Sequence, residues 1–322
     1  RGDRIPSCAR RVVQDERTNI FNAQVWAPPH PYQWHHPRPA IEEPLMIYEA
    51  HVGLATEDAA TGTYAAFRRE MLPRIERAGY NVLQLMAIME HPYYGSFGYH
   101  VSNFFAVSSR FGTPEEFMAL VDDAHGRGMA VTIDLVHSHS VSNEVEGLAR
   151  FDGTRCQYFH EGGRGYHAVW DSLCFDYAKP AVLHFLLSNC RFWLDAYNLD
   201  GFRFDGITSM SYHHHGLGVA FTSYDDYFND TVDEDALVYL ALANALIHRI
   251  NPGAITVAED VSGMPGLAAP LAEDGVGFDY RLAMGIPDCW FDLLENVRDE
   301  DWNIDHLWRE LLNRRADERT VS

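Results

Sequence analysis

From residue 45 onward, short apolar runs alternate with amphipathic helical patterns, and this alternation restricts the chain to a few folds. Residues 45–49 read as a buried strand. Thr63 then opens a helix that sets Tyr64, Phe67, Met71 and Ile75 on one face. Pro73 predicts a kink or an early end, and Gly79 closes the segment. A second strand spans 81–87. Thr113, Pro114 and Glu116 supply an N-cap, a proline at the first helical position and a capping-box acid. Phe117, Leu120, Val121 and Ala124 line the helix that follows. The pattern continues with a strand over 129–136, a helix over 181–197, a strand over 201–205, a helix over 235–250 and a strand over 254–258. A weaker sixth strand lies around 277–280. Strands alternating with helices imply a parallel sheet. Without a glycine-rich nucleotide fingerprint, about six such units predict an α/β fold of the (β/α)8 TIM-barrel type over residues 41–322, truncated after about six strands. The long stretch 137–179 reads as a loop insertion, and loops of that length are usually functional.

Residues 1–40 follow no such rhythm. One strand is expected over 22–26, and Pro28, Pro29, Pro31, Pro37, Pro39 and Pro44 come after it. This reads as the end of a small β domain and a stiff linker. The chain begins at Arg1 and has no signal-peptide pattern, so a fragment or a processed form is expected. The formal net charge of -21 argues against nucleic acid and anionic membranes as partners. No apolar run approaches the roughly 20 residues of a membrane span. Five scattered cysteines without a CxxC pair suit reduced thiols in a cytoplasmic compartment.

The chemistry concentrates at strand ends. In Gly201-Phe202-Arg203-Phe204-Asp205, alternation puts both phenylalanines on one face and Arg203 with Asp205 on the other. Buried charges need partners, and a neighbouring guanidinium lowers a carboxylate's pKa. The plainer reading is a structural ion pair. However, the third strand ends on Asp134, His137 and His139, and the fifth on Glu259 and Asp260. In a barrel the C-terminal strand ends build the active site. Asp205 and Glu259 on adjacent strands would stand about 5 Å apart, the spacing of a retaining glycosidase pair. Asp205 is then the nucleophile, and Glu259, its pKa raised by the nearby charge, the acid/base.

These segments resemble the first three signature regions of the α-amylase superfamily, glycoside hydrolase family 13. Met86 to His91, Ser96 to Tyr99, Ser109 to Thr113, His137-Ser138-His139, Tyr212 to Gly216, Val232 to Leu237 and Ala258 to Pro265 resemble, more closely, the eukaryotic-type glycogen and starch branching enzymes within it. The resemblance covers nearly the whole chain. It implies an α-1,4-glucan substrate (glycogen, amylose or amylopectin) and transfer of a cut chain to a 6-hydroxyl. It also implies Asp205 and Glu259 as catalytic residues, with Tyr99, Asp134, His139 and Arg203 binding substrate. No cofactor is implied. The location implied is cytoplasmic, or plastid in a plant. Residues 1 to about 30 become the tail of a carbohydrate-binding β-sandwich.

One departure qualifies this. The family's fourth region, with a His and a third catalytic Asp after the seventh strand, is absent, and the chain stops at Thr320-Val321-Ser322. The expectation is an internal fragment, inactive alone. Two other readings stay open. His137 and His139, with His213 to His215, would suit a metal-dependent barrel hydrolase, and a non-catalytic glucan-binding relative would share the fold. His139 itself also has a plainer reading, a capped loop histidine. Tyr93, Tyr94, Phe97 and Trp170 fall in loops, where aromatic rings stack on sugars.

Overall fold

Parallel pairing of the apolar runs builds one curled sheet in a computed structural model that describes residues 3–312 and 318–321. Two short strands come first, β1 (Val12–Gln14) and β2 (Phe21–Ala23), paired antiparallel. β3 (Ile47–Ala50) leads into α1 (Tyr64–Glu70) and α2 (Leu72–Arg77). After β4 (Val82–Leu85) come an antiparallel pair, β5 (Met89–Glu90) and β6 (Asn103–Val107), and then α3 (Pro114–Gly126). β7 (Ala130–Leu135) precedes an excursion that carries β8 (His139–Val141), β9 (Tyr166–His167) and β10 (Ser172–Cys174), and α4 (Pro180–Tyr197) follows. The order ends with β11 (Gly201–Phe204), α5 (Ile207–Ser211), α6 (Glu234–Ile250), β12 (Ile255–Ala258), β13 (Tyr280–Leu282), α7 (Gly285–Asn296), α8 (Ile304–Leu312) and β14 (Thr320–Val321).

The main sheet runs β3-β4-β7-β11-β12-β13-β14, and every neighbour pairs parallel. It has seven strands, one more than the sequence pattern predicts. The seventh, β14, is two residues long and too short to show a period. The sixth sits a few residues later than expected, at Tyr280–Leu282. Alternation along the strands sorts the side chains as predicted. Leu83, Val131, Ile133, Phe202 and Phe204 belong to the large outer core beneath the helices. Burying one such side chain contributes about 1.5–3 kcal/mol. Val82, Ala130, Ile255 and Val257 fill the inside, joined by Ile47 and Val321 from the two edge strands. Those edges are not hydrogen-bonded to each other. A gap of about 400 Å³ lies between them, and Glu43 reaches across it to Tyr280 Oη at 2.6 Å and to Arg319.

Local signals hold closely. Thr113 and Glu116 form the capping box at α3. The helix around Pro73 breaks at Met71 into α1 and α2, because a mid-helix proline removes a hydrogen bond and crowds the preceding turn. The N-terminal segment differs from expectation in two respects. Its strand is Phe21–Ala23, paired with β1, and Val12 and Phe21 pack with Ala106 of β6. Beyond it, the proline-rich stretch is a docked strap. The Asp122 carboxylate of α3 accepts hydrogen bonds from Tyr32 Oη and from the backbone N–H groups of His35 and His36. Arg38 donates to the Leu194 carbonyl at the end of α4.

Candidate active site

Register brings the charged residues together. β11 pairs with β7 so that Arg203 faces Asp134, and with β12 so that Phe204 faces Ala258. One step further, Asp205 and Glu259 leave adjacent strand ends side by side. The Asp205 N–H donates to the Leu135 carbonyl and the Glu259 N–H to the Phe204 carbonyl, so backbone ladders fix both positions.

Arg203 is the hub. Its Nη1 lies 2.6 Å from Asp134 Oδ2 and 3.4 Å from Asp205 Oδ1, and its Nη2 lies 3.6 Å from Glu259 Oε2. Tyr99 Oη donates to the same Asp134 oxygen at 2.6 Å. The Gly206 N–H donates to Glu259 Oε2 at 2.6 Å, which aims that carboxylate back over the end of β11. Tyr99 reaches the site from the β5–β6 excursion through Gly98. Gly98 sits at φ +98, and a Cβ there would run into the Ala87 carbonyl oxygen. His139 Nε2–H donates to the Tyr99 carbonyl at 2.9 Å, and its Nδ1 lies 2.9 Å from Ser138 Oγ. Both ring nitrogens are therefore spent on the protein. The Trp170 indole packs 4.9 Å from the His139 ring.

One guanidinium among three carboxylates leaves the site negative, and burial raises the cost of that charge. Asp134 is pushed up to about 6, first by burial, against the pull of Arg203 and Tyr99. Asp205 is pushed up to about 8 by burial and then by the Glu259 charge, with Arg203 opposing. This revises the sequence reading. Arg203 does favour the ionised form of Asp205, but its closest contact is Asp134, and desolvation outweighs it. The Glu259 charge therefore bears directly on how readily Asp205 ionises. Burial pulls His139 down to about 3, so its ring is neutral.

The geometry gathers all six sequence-selected residues, Tyr99, Asp134, His139, Arg203, Asp205 and Glu259, into one connected set. It separates the HxH histidines by environment. His137 is fully buried between Tyr239 Oη and Asn189 Oδ1 on the helix side. His215 sits instead beside Cys174 and His167. Among the described residues, no three His, Cys, Asp or Glu side chains gather as metal ligands. Two features escaped the sequence reading. Asp260, next to Glu259, accepts from Thr208 and Ser262 and from the backbone N–H groups of Gly263 and Met264. Buried Arg281 of β13 then ties Asp260 at 2.8 Å to Glu318 at 2.6 Å. An arginine inside a weak strand pattern was the available signal.

The curled sheet of parallel strands carries this carboxylate set at its C-terminal ends, and residues 69–154 match the family described as alpha amylase, catalytic domain. The fold agrees with solved amylases. The catalytic module of a multi-modular glycogen-degrading pneumococcal virulence factor superposes with a TM-score of 0.61 at 18% identity, over 80% of this chain and 38% of that one. An alpha-amylase from Lactobacillus plantarum gives 0.60 at 19% identity, over 84% and 60%. Curated homologues that match nearly the whole chain are named 1,4-alpha-glucan-branching enzyme. That of Rhizophagus irregularis is 54% identical over 99% of this chain and 47% of its own length. Those of Felis catus and Solanum tuberosum are each 52% identical, over 46% and 38% of their lengths. The chain thus spans about half the length, or less, of the curated relatives it matches.

Proposed function

We propose that a protein of the relatives' length containing this chain is a glucan branching transferase that acts by retaining double displacement. Asp205 attacks the anomeric carbon of an α-1,4-linked glucosyl unit while Glu259 protonates the departing 4-oxygen. The severed non-reducing segment stays on Asp205 as an ester. Glu259, now ionised, takes the proton of an incoming 6-hydroxyl, whose oxygen displaces Asp205 and forms the α-1,6 branch. Arg203 and Tyr99 neutralise and orient Asp134, which is placed to accept from sugar hydroxyls. His139 shapes the wall beside them. The observation that carries this reading is the Asp205–Glu259 juxtaposition across β11 and β12, both tied to Arg203. The further His and Asp that the family places after the seventh strand would come from sequence beyond Val321. The β1–β2 hairpin supports reading the first residues as the tail of a carbohydrate-binding β-sandwich, and five unpaired cysteines suit a reducing, cytoplasmic location.

Covalent trapping tests the roles. Glu259→Gln should still load from an α-glucosyl fluoride, whose leaving group needs no acid, and its glucosyl mass should map to Asp205. Asp205→Asn should never load. Loss of the acid costs about 10²–10⁴-fold, so both variants should be nearly inactive on glucan. Substantial branching by Asp205→Asn, or a label on another residue, would overturn the assignment.

A further inference from the structure

The insertion between β7 and α4 does more than wall the carboxylates. β9 is a two-residue strand, so its side chains face opposite ways. His167 points in, is buried, and stacks at 3.8 Å on Trp170, which abuts His139. Tyr166 points out and is 41% exposed. Its ring is not loose, because its hydroxyl donates to Asp171 Oδ1 at 3.0 Å, and Ser142 Oγ donates to the same oxygen at 3.2 Å. Beside it lies a groove of about 470 Å³, within the range of small-ligand sites. Arg155 and Glu161 line it. Arg155 has only a loose 3.9 Å pairing with Glu144, and Cys156 occupies one Glu161 oxygen. Gly162 turns the chain at φ +66, and neither it nor Gly163 has a neighbour where a Cβ would stand, so that side of the groove is open.

We propose that this groove is an outlying subsite for a neutral α-glucan chain, an inference that rests on the α-glucan reading above. An exposed aromatic face held at a fixed angle matches the CH-bearing face of a sugar ring. Donor Arg155 and acceptor Glu161 together suit hydroxyls, which both give and take hydrogen bonds. An anionic ligand would meet Glu161, Asp171 and a formal net charge of -21. Trp170 follows Tyr166 by four positions, at most ~14 Å of chain, a span on the scale of a short oligosaccharide. Fixing the ring before binding removes part of the ordering cost.

Native electrophoresis of the 322-residue chain through gels containing glycogen gives the test, with the dissociation constant read from retardation against glycogen concentration. Tyr166→Ala should weaken binding about 5–10-fold, while Tyr166→Phe, which keeps the ring, should lose less than about 2-fold. The thermal midpoint should not move, because the side chain lies outside the core. If Tyr166→Ala fails to fold, Arg155→Ala replaces it, with a loss of about 2–5-fold expected. Wild-type retardation with unchanged variants overturns the subsite and leaves the glucan reading standing. A wild-type chain that is not retarded overturns the subsite, and the glucan reading then rests on the covalent trapping above.

Discussion

At the scale of single residues, the site is a place where ionisation works against folding. Asp205 has a folded pKa of about 8, above the roughly 3.9 of an unfolded aspartate. The folded state therefore binds the proton more tightly. The contribution of this group to stability is fully present below pH ~4 and is lost as pH rises through the folded value of about 8. Asp205→Asn removes this penalty. The variant should be nearly inactive yet more stable than wild type, by about 0.5–2 kcal/mol near pH 8 and by almost nothing near pH ~4. Urea titrations of both proteins across that range check it, and an advantage independent of pH would contradict it. The position of Asp205 was legible because strand alternation alone puts Arg203 and Asp205 on the barrel side. The direction of its titration was not legible. That depends on Arg203 turning toward Asp134, a contact between strands whose register only the fold sets.

At the scale of elements, the loop after β12 is held by a buried charge network. Asp260 takes two hydroxyls, three backbone N–H groups and Arg281, and Arg281 reaches on to Glu318. Removing one member leaves the others buried and unpaired, which costs about 3–5 kcal/mol. Asp260→Ala should lose that much in urea unfolding, and Glu259, one residue away, should lose its register with Gly206. An unchanged unfolding midpoint would show the network to be dispensable. Helices were read more accurately than this network because their signals are local. Thr113 and Glu116 lie three residues apart and cap each other whatever the rest of the chain does. Arg281 and Glu318 meet across 37 residues, and no period connects them. The strap over α3 was missed for the same reason, since its anchor Asp122 lies inside an ordinary helical pattern.

At the scale of the whole molecule, the sheet is bridged by side chains at its N-terminal rim among the described residues. Glu43 meets Tyr280 and Arg319, while β3 and β14 share no backbone hydrogen bond. The Glu43–Arg319 pair is more than half exposed on both sides, and such pairs contribute about 0–1 kcal/mol and are screened by salt. Raising ionic strength from about 0.05 M to about 1 M should speed amide exchange in β3 and β14 and leave β7 and β11, each flanked on both sides, unchanged. Exchange measured by mass spectrometry reads this directly, and uniform protection at both salts would count against it. Further round, α7 and α8 expose Phe291, Leu294, Ile304 and Trp308. The barrel class was legible from the βα alternation, because each unit repeats the same local choice. The strand count was not, because a two-residue strand has no pattern to read.

Gly98 carries a consequence for inherited variation. It touches no sugar and belongs to no catalytic set, yet any side chain there collides with the Ala87 carbonyl and pushes Tyr99 away from Asp134. A change as mild as glycine to alanine would therefore disturb the Tyr99–Asp134 contact while leaving all six site residues in the sequence. The position looks like a spacer in the sequence, yet it carries the approach of Tyr99 to Asp134.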